Sequence, residues 1–194
     1  MNYLAHIFLS GPRRRVQIGN FIGDAVKGSA YNDYPGAIRS GILLHRAIDT
    51  FTDGHPAVRD TVRSLRPQFG RYSGVVLDIY FDHLLASRFG EFSDIPLKRF
   101  SRGFYIAMIL NRRWLPERIK NFMWHFISTD RLSKYATPEG IGEALRIMVK
   151  YGRLDISPEE AVRYLTEHKE ELWRVFLPFF TELRAYCESY ISTR

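Results

Sequence analysis

No pair of cysteines exists in this chain. Cys187 stands alone, so an internal disulfide is excluded and a reducing compartment is expected. Set among aromatic residues, Cys187 reads as a small buried apolar side chain. No apolar run approaches the ~20 residues that a membrane span needs. The N-terminus lacks the basic lead-in and long apolar core of a secretory signal. A soluble, cytoplasmic protein with no membrane partner is expected. Familiar catalytic signatures are missing too. There is no Walker-type loop and no glycine fingerprint following a strand. No Gly-x-Ser-x-Gly elbow presents a nucleophile, and Cys187 is far from any histidine cluster. Sustained apolar/polar alternation between hairpin turns is also absent, which argues against an all-β fold.

What is present points to helices. Apolar residues recur at helical spacing through Val16–Val26, Ala37–Phe51, Val75–Phe89 and Phe100–Leu110. Pro and Gly punctuate the breaks at Gly11-Pro12, Pro35-Gly36, Gly54, Pro56, Gly70, Pro96, Pro116 and Pro138. Ser157-Pro158-Glu159-Glu160 has the chemistry of a helix start: a capping hydroxyl, proline at the first helical position and acids facing the dipole. With 194 residues, 45% of them apolar, the chain can bury a sizeable core. We expect one compact all-α domain over residues 1–194. Rings crowd the second half, among them Phe100, Phe104, Trp114, Phe122, Trp124, Phe126, Trp173, Phe176, Phe179 and Phe180. They read as core, with a hydrophobic groove for a ligand arm as the alternative. The formal charge of +7 suggests an acidic partner.

Chemistry-bearing residues gather in the first 83 positions, in the segments Asn2–His6, Gly19–Asp24, His45–Asp53 and Asp78–His83. His45, Asp49 and Asp53 are spaced i, i+4, i+8, so a continuous helix projects all three from one face. Asp78 and Asp82 repeat the i, i+4 spacing inside an apolar helix, where carboxylates are costly unless paired, hydrogen-bonded or bound to a cation. Pairing with arginines is the plain structural alternative. Asp24 sits in an apolar segment whose glycines permit close backbone approach, and Lys27 could neutralise it. Together the segments supply His6, Asp24, His45, Asp49, Asp78, Asp82 and His83, enough for one or two divalent ions. The carboxylates favour Mg²⁺ or Mn²⁺, and the histidines pull towards Mn²⁺, Fe or Zn²⁺.

Asn2-Tyr3-Leu4-Ala5-His6, Gly19-Asn20 with Asp24, His45-Arg46-x-Ile48-Asp49-x-x-Thr52-Asp53 and Asp78-x-x-x-Asp82-His83 together resemble the bacterial acyl carrier protein phosphodiesterase family. That family is an offshoot of the HD-domain phosphohydrolases, although Asp82-His83 inverts their His-Asp order. The motifs span roughly residues 1–90. The resemblance implies an HD-like helical fold, a divalent metal with Mn²⁺ foremost, and a place in fatty acid biosynthesis. It also implies hydrolysis of 4′-phosphopantetheine from holo-acyl carrier protein (ACP). ACP is strongly acidic, so the +7 charge reads as its complement.

On that reading His45, Asp49, Asp82 and Asp24 hold the metal, with His6 or Asp78 completing the shell. His83 or His6 would protonate the leaving serine oxygen, and Lys27 and Arg46 would steady the phosphate charge. Arg13-Arg14-Arg15 would dock ACP from an exposed loop. Two other readings compete. One is an HD-type phosphohydrolase of nucleotides or other small phosphodiesters, using the same metal site. The other is a non-enzymatic basic module binding nucleic acid, which leaves Asp78 and Asp82 without purpose and has no recognition motif in its favour.

Overall fold

A computed structural model describes residues 1–152 and 154–192, and it contains helices and no strand among them. The all-α expectation holds. Each anticipated break falls where chain chemistry puts it. Gly11 takes the left-handed conformation after helix α1 (Tyr3–Leu9), and α2 runs Arg14–Ile22. Pro35 precedes α3 (Gly36–Gly54), Pro56 opens α4 (Pro56–Phe69), and Gly70, at φ +53°, ends it. Helix α5 follows at Ser73–Ser87, α6 at Leu97–Leu110 after Pro96, and α7 at Glu117–Ser128 after Pro116. A short α8 (Arg131–Lys134) leads to α9 (Pro138–Lys150), α10 (Pro158–Glu167) and α11 (Lys169–Ser192). The Ser157 hydroxyl caps α10 by accepting the Glu160 amide at 3.2 Å. Two boundaries differ: the periodicity through Val26 extends beyond α2, which tightens into a 3-10 turn at Gly23–Ala25, and that through Phe89 extends beyond α5 into a 3-10 turn at Phe89–Glu91.

Helix α5 is buried on every side over residues 79–86, and Val76, Leu77, Ile79, Tyr80, Phe81, Leu84 and Leu85 are all in the core. Phe176, Phe179 and Phe180 of α11 are fully buried, and Phe81 packs 5.2 Å from Phe176 and 5.4 Å from Phe179. Burial of one such ring stabilises by about 1.5–3 kcal/mol. Most of the second-half aromatics are therefore core, as is Cys187, whose thiol burial pushes up to about 12. Trp124 is the exception, exposed on α7.

The closest helix pair is α2 and α3, which cross backbone to backbone at Gly19 and Gly41. A methyl at Gly19 would overlap the Ile38 carbonyl, and one at Gly41 would overlap the Val16 carbonyl. This crossing places Asn20 of α2 directly against His45 of α3.

Candidate metal centre

Helix α1 carries His6, α2 carries Asn20, α3 carries His45 and Asp49, and the 3-10 turn after α2 carries Asp24. Their side chains converge. The two imidazoles stack with centroids 4.1 Å apart and planes 20° from parallel. Gly23 makes room for this, since a Cβ there would run into the His45 ring. His6, His45 and Asp49 each offer a ligand atom, and these lie within 4.8 Å of one another.

Asn20 is fully buried and determines what those ligand atoms are. Its Nδ2 donates to the His6 carbonyl and to Ser10 Oγ, each at 2.8 Å, so its Oδ1 must face His6 as an acceptor. His6 Nδ1 therefore carries hydrogen and donates to Asn20 Oδ1 at 2.8 Å. His45 Nδ1 likewise donates to the Asn20 carbonyl at 2.8 Å. Both Nε2 atoms are left to face the cluster, in the orientation that outer partners impose on metal-binding histidines. His6 Nε2 meets Asp49 Oδ1 and the Met1 carbonyl, both at 3.2 Å. His45 Nε2 meets Asp49 Oδ2 at 3.1 Å and Asp24 Oδ1 at 3.4 Å, yet makes no well-aligned hydrogen bond. Once His45 gives up the proton on its Nε2, only acceptors converge here, an arrangement that a cation stabilises. The set fits a divalent ion.

The electrostatics agree. Burial lowers His6 to about 4, against the pull of Asp49. Burial also works downward at His45, but the Asp24 and Asp49 carboxylates overcome it and raise this imidazole to about 9. At Asp49 burial works upward, and His45 and His6 outweigh it to hold the carboxyl well below its usual range.

The cluster forms one part of the wall of a cavity of about 550 Å³. Tyr3, Phe21, Ile119, Phe122, Phe126 and Met148 give it apolar surface, so part of the second-half aromatic set does line a groove. Asp78 also borders it, 3.0 Å from the Met1 amino group and paired with no arginine among the described residues. Burial raises the Asp78 carboxyl, and the amino group opposes that.

Other residues picked out on the sequence lie elsewhere. Asp82 points from α5 to the start of α1, where Oδ2 accepts the Leu4 amide at 2.8 Å and Oδ1 the Ala5 amide at 3.0 Å. It caps α1, which has no cap from its own Asn2 side chain. Both its oxygens are thus taken, and it supports His6 at a distance. Asp82→Ala leaves two buried amides unpaired, at about 1–3 kcal/mol each. The variant should melt several degrees lower, whereas the ligand assignment expects lost turnover at unchanged melting. Thermal denaturation separates the two.

His83 is 1% exposed, donates from Nδ1 to the Tyr135 carbonyl at 2.8 Å, and does not reach the cluster. Arg46 donates to the Val26 and Gly28 carbonyls at 3.1 and 2.7 Å and covers the Tyr31 ring. It fastens the loop that presents Asp24. Lys27 is exposed on that loop, and Asp53 is exposed one turn beyond Asp49; neither borders the cavity. Arg13, Arg14 and Arg15 are exposed where α2 begins, with Arg14 lying over Gly103 of α6.

Over residues 1–183 the sequence matches the model of the acyl carrier protein phosphodiesterase family. This chain belongs to that family. The acyl carrier protein phosphodiesterase of Klebsiella pneumoniae (strain 342) is 30% identical over 191 residues, spanning 97% of this chain and 98% of the relative. The enzyme of that name from Pectobacterium atrosepticum is 32% identical over 149 residues, spanning 76% and 77%. That from Enterobacter sp. (strain 638) is 30% identical over 187 residues, spanning 94% and 95%. No solved structure matches the chain. In this member of the acyl carrier protein phosphodiesterase family, sequence reasoning passed over Asn20 as a site residue. An amide amid the apolar residues of α2 was the available signal. It also passed over Arg118, His125 and Arg131, which border the cavity from α7 and α8.

Proposed function

We propose that this protein is a metal-dependent phosphodiesterase that hydrolyses 4′-phosphopantetheine from holo-ACP, leaving apo-ACP. Family membership supports the reaction, and the convergence of two oriented imidazoles and two carboxylates beside a cavity supports the metal. His6, His45, Asp49 and Asp24 would hold the ion. Mixed nitrogen and oxygen donors suit Mn²⁺ first, with Mg²⁺, Fe and Zn²⁺ as competitors. A divalent ion there supplies Lewis acidity, acidifying a water and polarising a phosphoryl oxygen.

The protein's own groups would do the rest. Water oxygen adds to phosphorus, the bond from phosphorus to the serine oxygen breaks, and that oxygen takes a proton. His125, on the cavity wall, would deliver the proton in place of His83. The apolar wall from Tyr3 to Met148 accommodates the pantetheine arm and excludes water from the diester. The basic surface, including Arg13–Arg15, attracts acidic ACP. Helical architecture and His and Asp side chains converging from separate helices support the reading of the protein as HD-like. The lone buried Cys187 suits a cytoplasmic setting.

Mass spectrometry of holo-ACP incubated with the protein and Mn²⁺ tests the reading. Loss of the phosphopantetheine mass, blocked by EDTA, is the expected result; an intact holo-ACP with Mn²⁺ present refutes it.

The electrostatics add a pH prediction. With His45 raised to about 9, an incoming ion displaces a proton from it at neutral pH. Metal affinity should therefore rise about tenfold per pH unit between about pH 6 and 8 and level off above about 9. The same shift makes the ion-free protein lose stability as pH rises from the unfolded value of 6.5 through about 9, because the folded state then releases its extra proton. Isothermal titration with Mn²⁺ at several pH values reads the first effect, and thermal melting in EDTA reads the second. A flat metal affinity over this range contradicts the His45 assignment.

A further inference from the structure

The geometry points to Arg131 as the residue that grips a non-bridging phosphate oxygen of the substrate; this rests on the phosphodiesterase reading above. Arg131 is only 6% exposed and borders the same cavity as His6, His45 and Asp24. Its Nη1 is buried without a hydrogen-bond partner among the described residues. The acids around it are engaged elsewhere. Asp130 accepts the Tyr105 hydroxyl at 3.0 Å, and Glu143 pairs with Lys134 at 2.7 Å. Glu143 is near enough to feel the charge of Arg131, but no described carboxylate forms an ion pair with it, and a buried guanidinium without such a pair is costly. Arg131 is one of the residues that line the cavity, so an anion bound there meets its side chain.

The seat of Arg131 is built rather than accidental. Tyr105 Oη accepts the Leu132 amide at 2.9 Å while donating to Asp130, which bridges the residues on either side of Arg131. Asp130 holds a left-handed backbone at φ +46°, an unfavourable conformation for a residue with a side chain. Together these aim the side chain into the cavity wall.

The charges divide the labour. Asp24, Asp49 and Asp78 attract a cation and repel a phosphate, so the cluster alone cannot seat a diester anion. A planar guanidinium matches two phosphate oxygens at once, which an ammonium does not.

The test uses the full-length protein in EDTA, titrated with inorganic phosphate and followed by phosphorus NMR line width. Wild type should bind phosphate, and Arg131→Gln should weaken that binding by about tenfold or more. Arg131→Lys keeps a charge on a similar stem and should recover only part. With holo-ACP and Mn²⁺, Arg131→Gln should lower kcat/KM by about 10²-fold. His45→Ala should lose turnover yet keep phosphate affinity within about threefold, because the two groups serve different charges. Wild type that ignores phosphate overturns the proposal, as does Arg131→Gln that binds it equally well. If neither variant melts cooperatively, Arg131 is a structural residue and the proposal falls. If phosphate binding depends on Arg131 but holo-ACP is never cleaved, the phosphodiesterase reading fails and the anion site stands.

Discussion

His45→Ala should reduce turnover by at least about 10³-fold while keeping its helical content, since several kcal/mol of barrier lowering is what a catalytic metal supplies. On the proposed assignment its Nε2 would be a ligand, and it lies against both Asp24 and Asp49, so its loss would remove that ligand and the group between the two carboxylates. Isothermal titration should show Mn²⁺ affinity falling in parallel with activity. Asn20→Ala is the informative companion. It removes no ligand, but frees the His6 ring to turn, because the bond from Nδ1 to Asn20 Oδ1 disappears. Losses of outer partners of this kind cost about 10–100-fold in metal affinity or activity. His45 would keep its own partner, the Asn20 carbonyl, which survives the substitution. Undiminished Mn²⁺ binding by His45→Ala would remove the centre from the mechanism altogether.

Gly41→Ala should destabilise the fold by about 2–3 kcal/mol or more, well above what a surface substitution costs. Its added methyl would overlap the Val16 carbonyl and crowd the Asn20 amide, both rigid backbone groups that cannot rotate aside. The helices α2 and α3 must separate instead. For a chain of this length that corresponds to a Tm lowered by roughly 5–10 °C. Separation also draws Asn20 away from His45, so metal affinity in the surviving folded protein should fall as well. Gly36→Ala, at an open position, serves as the control and should change neither quantity appreciably. Unchanged melting of Gly41→Ala would mean that the crossing is looser than described.

The two experiments probe different levels of the same design. Gly19 and Gly41 bring the backbones together, Asn20 turns that proximity into ring orientation, and the histidines convert orientation into ligand geometry. Asp82 adds a fourth support by capping α1 from α5, which keeps His6 in place.

Much of this was legible in the sequence because it depends on local periodicity. The i, i+4 spacing of His45 and Asp49 puts them on one helix face whatever surrounds the helix, and the structure joins them at 3.1 Å. Helix ends at Gly11, Gly70, Pro96 and Pro116 follow from φ preferences and missing amide hydrogens, which are properties of single residues. Family membership was also legible, since its motifs are short, ordered and near the N-terminus. What tertiary structure alone decided is which buried polar group meets which. Asp82 and His83 are sequence neighbours of the same chemical kind as the ligands, yet one caps a helix and the other bonds the Tyr135 carbonyl. Arg131 lies in no motif, and the lack of a partner at its Nη1 among the described residues becomes visible only when Asp130 and Glu143 are seen to be engaged with Tyr105 and Lys134. Spacing along a helix determines which face a side chain takes; only packing between helices determines what that face finds opposite.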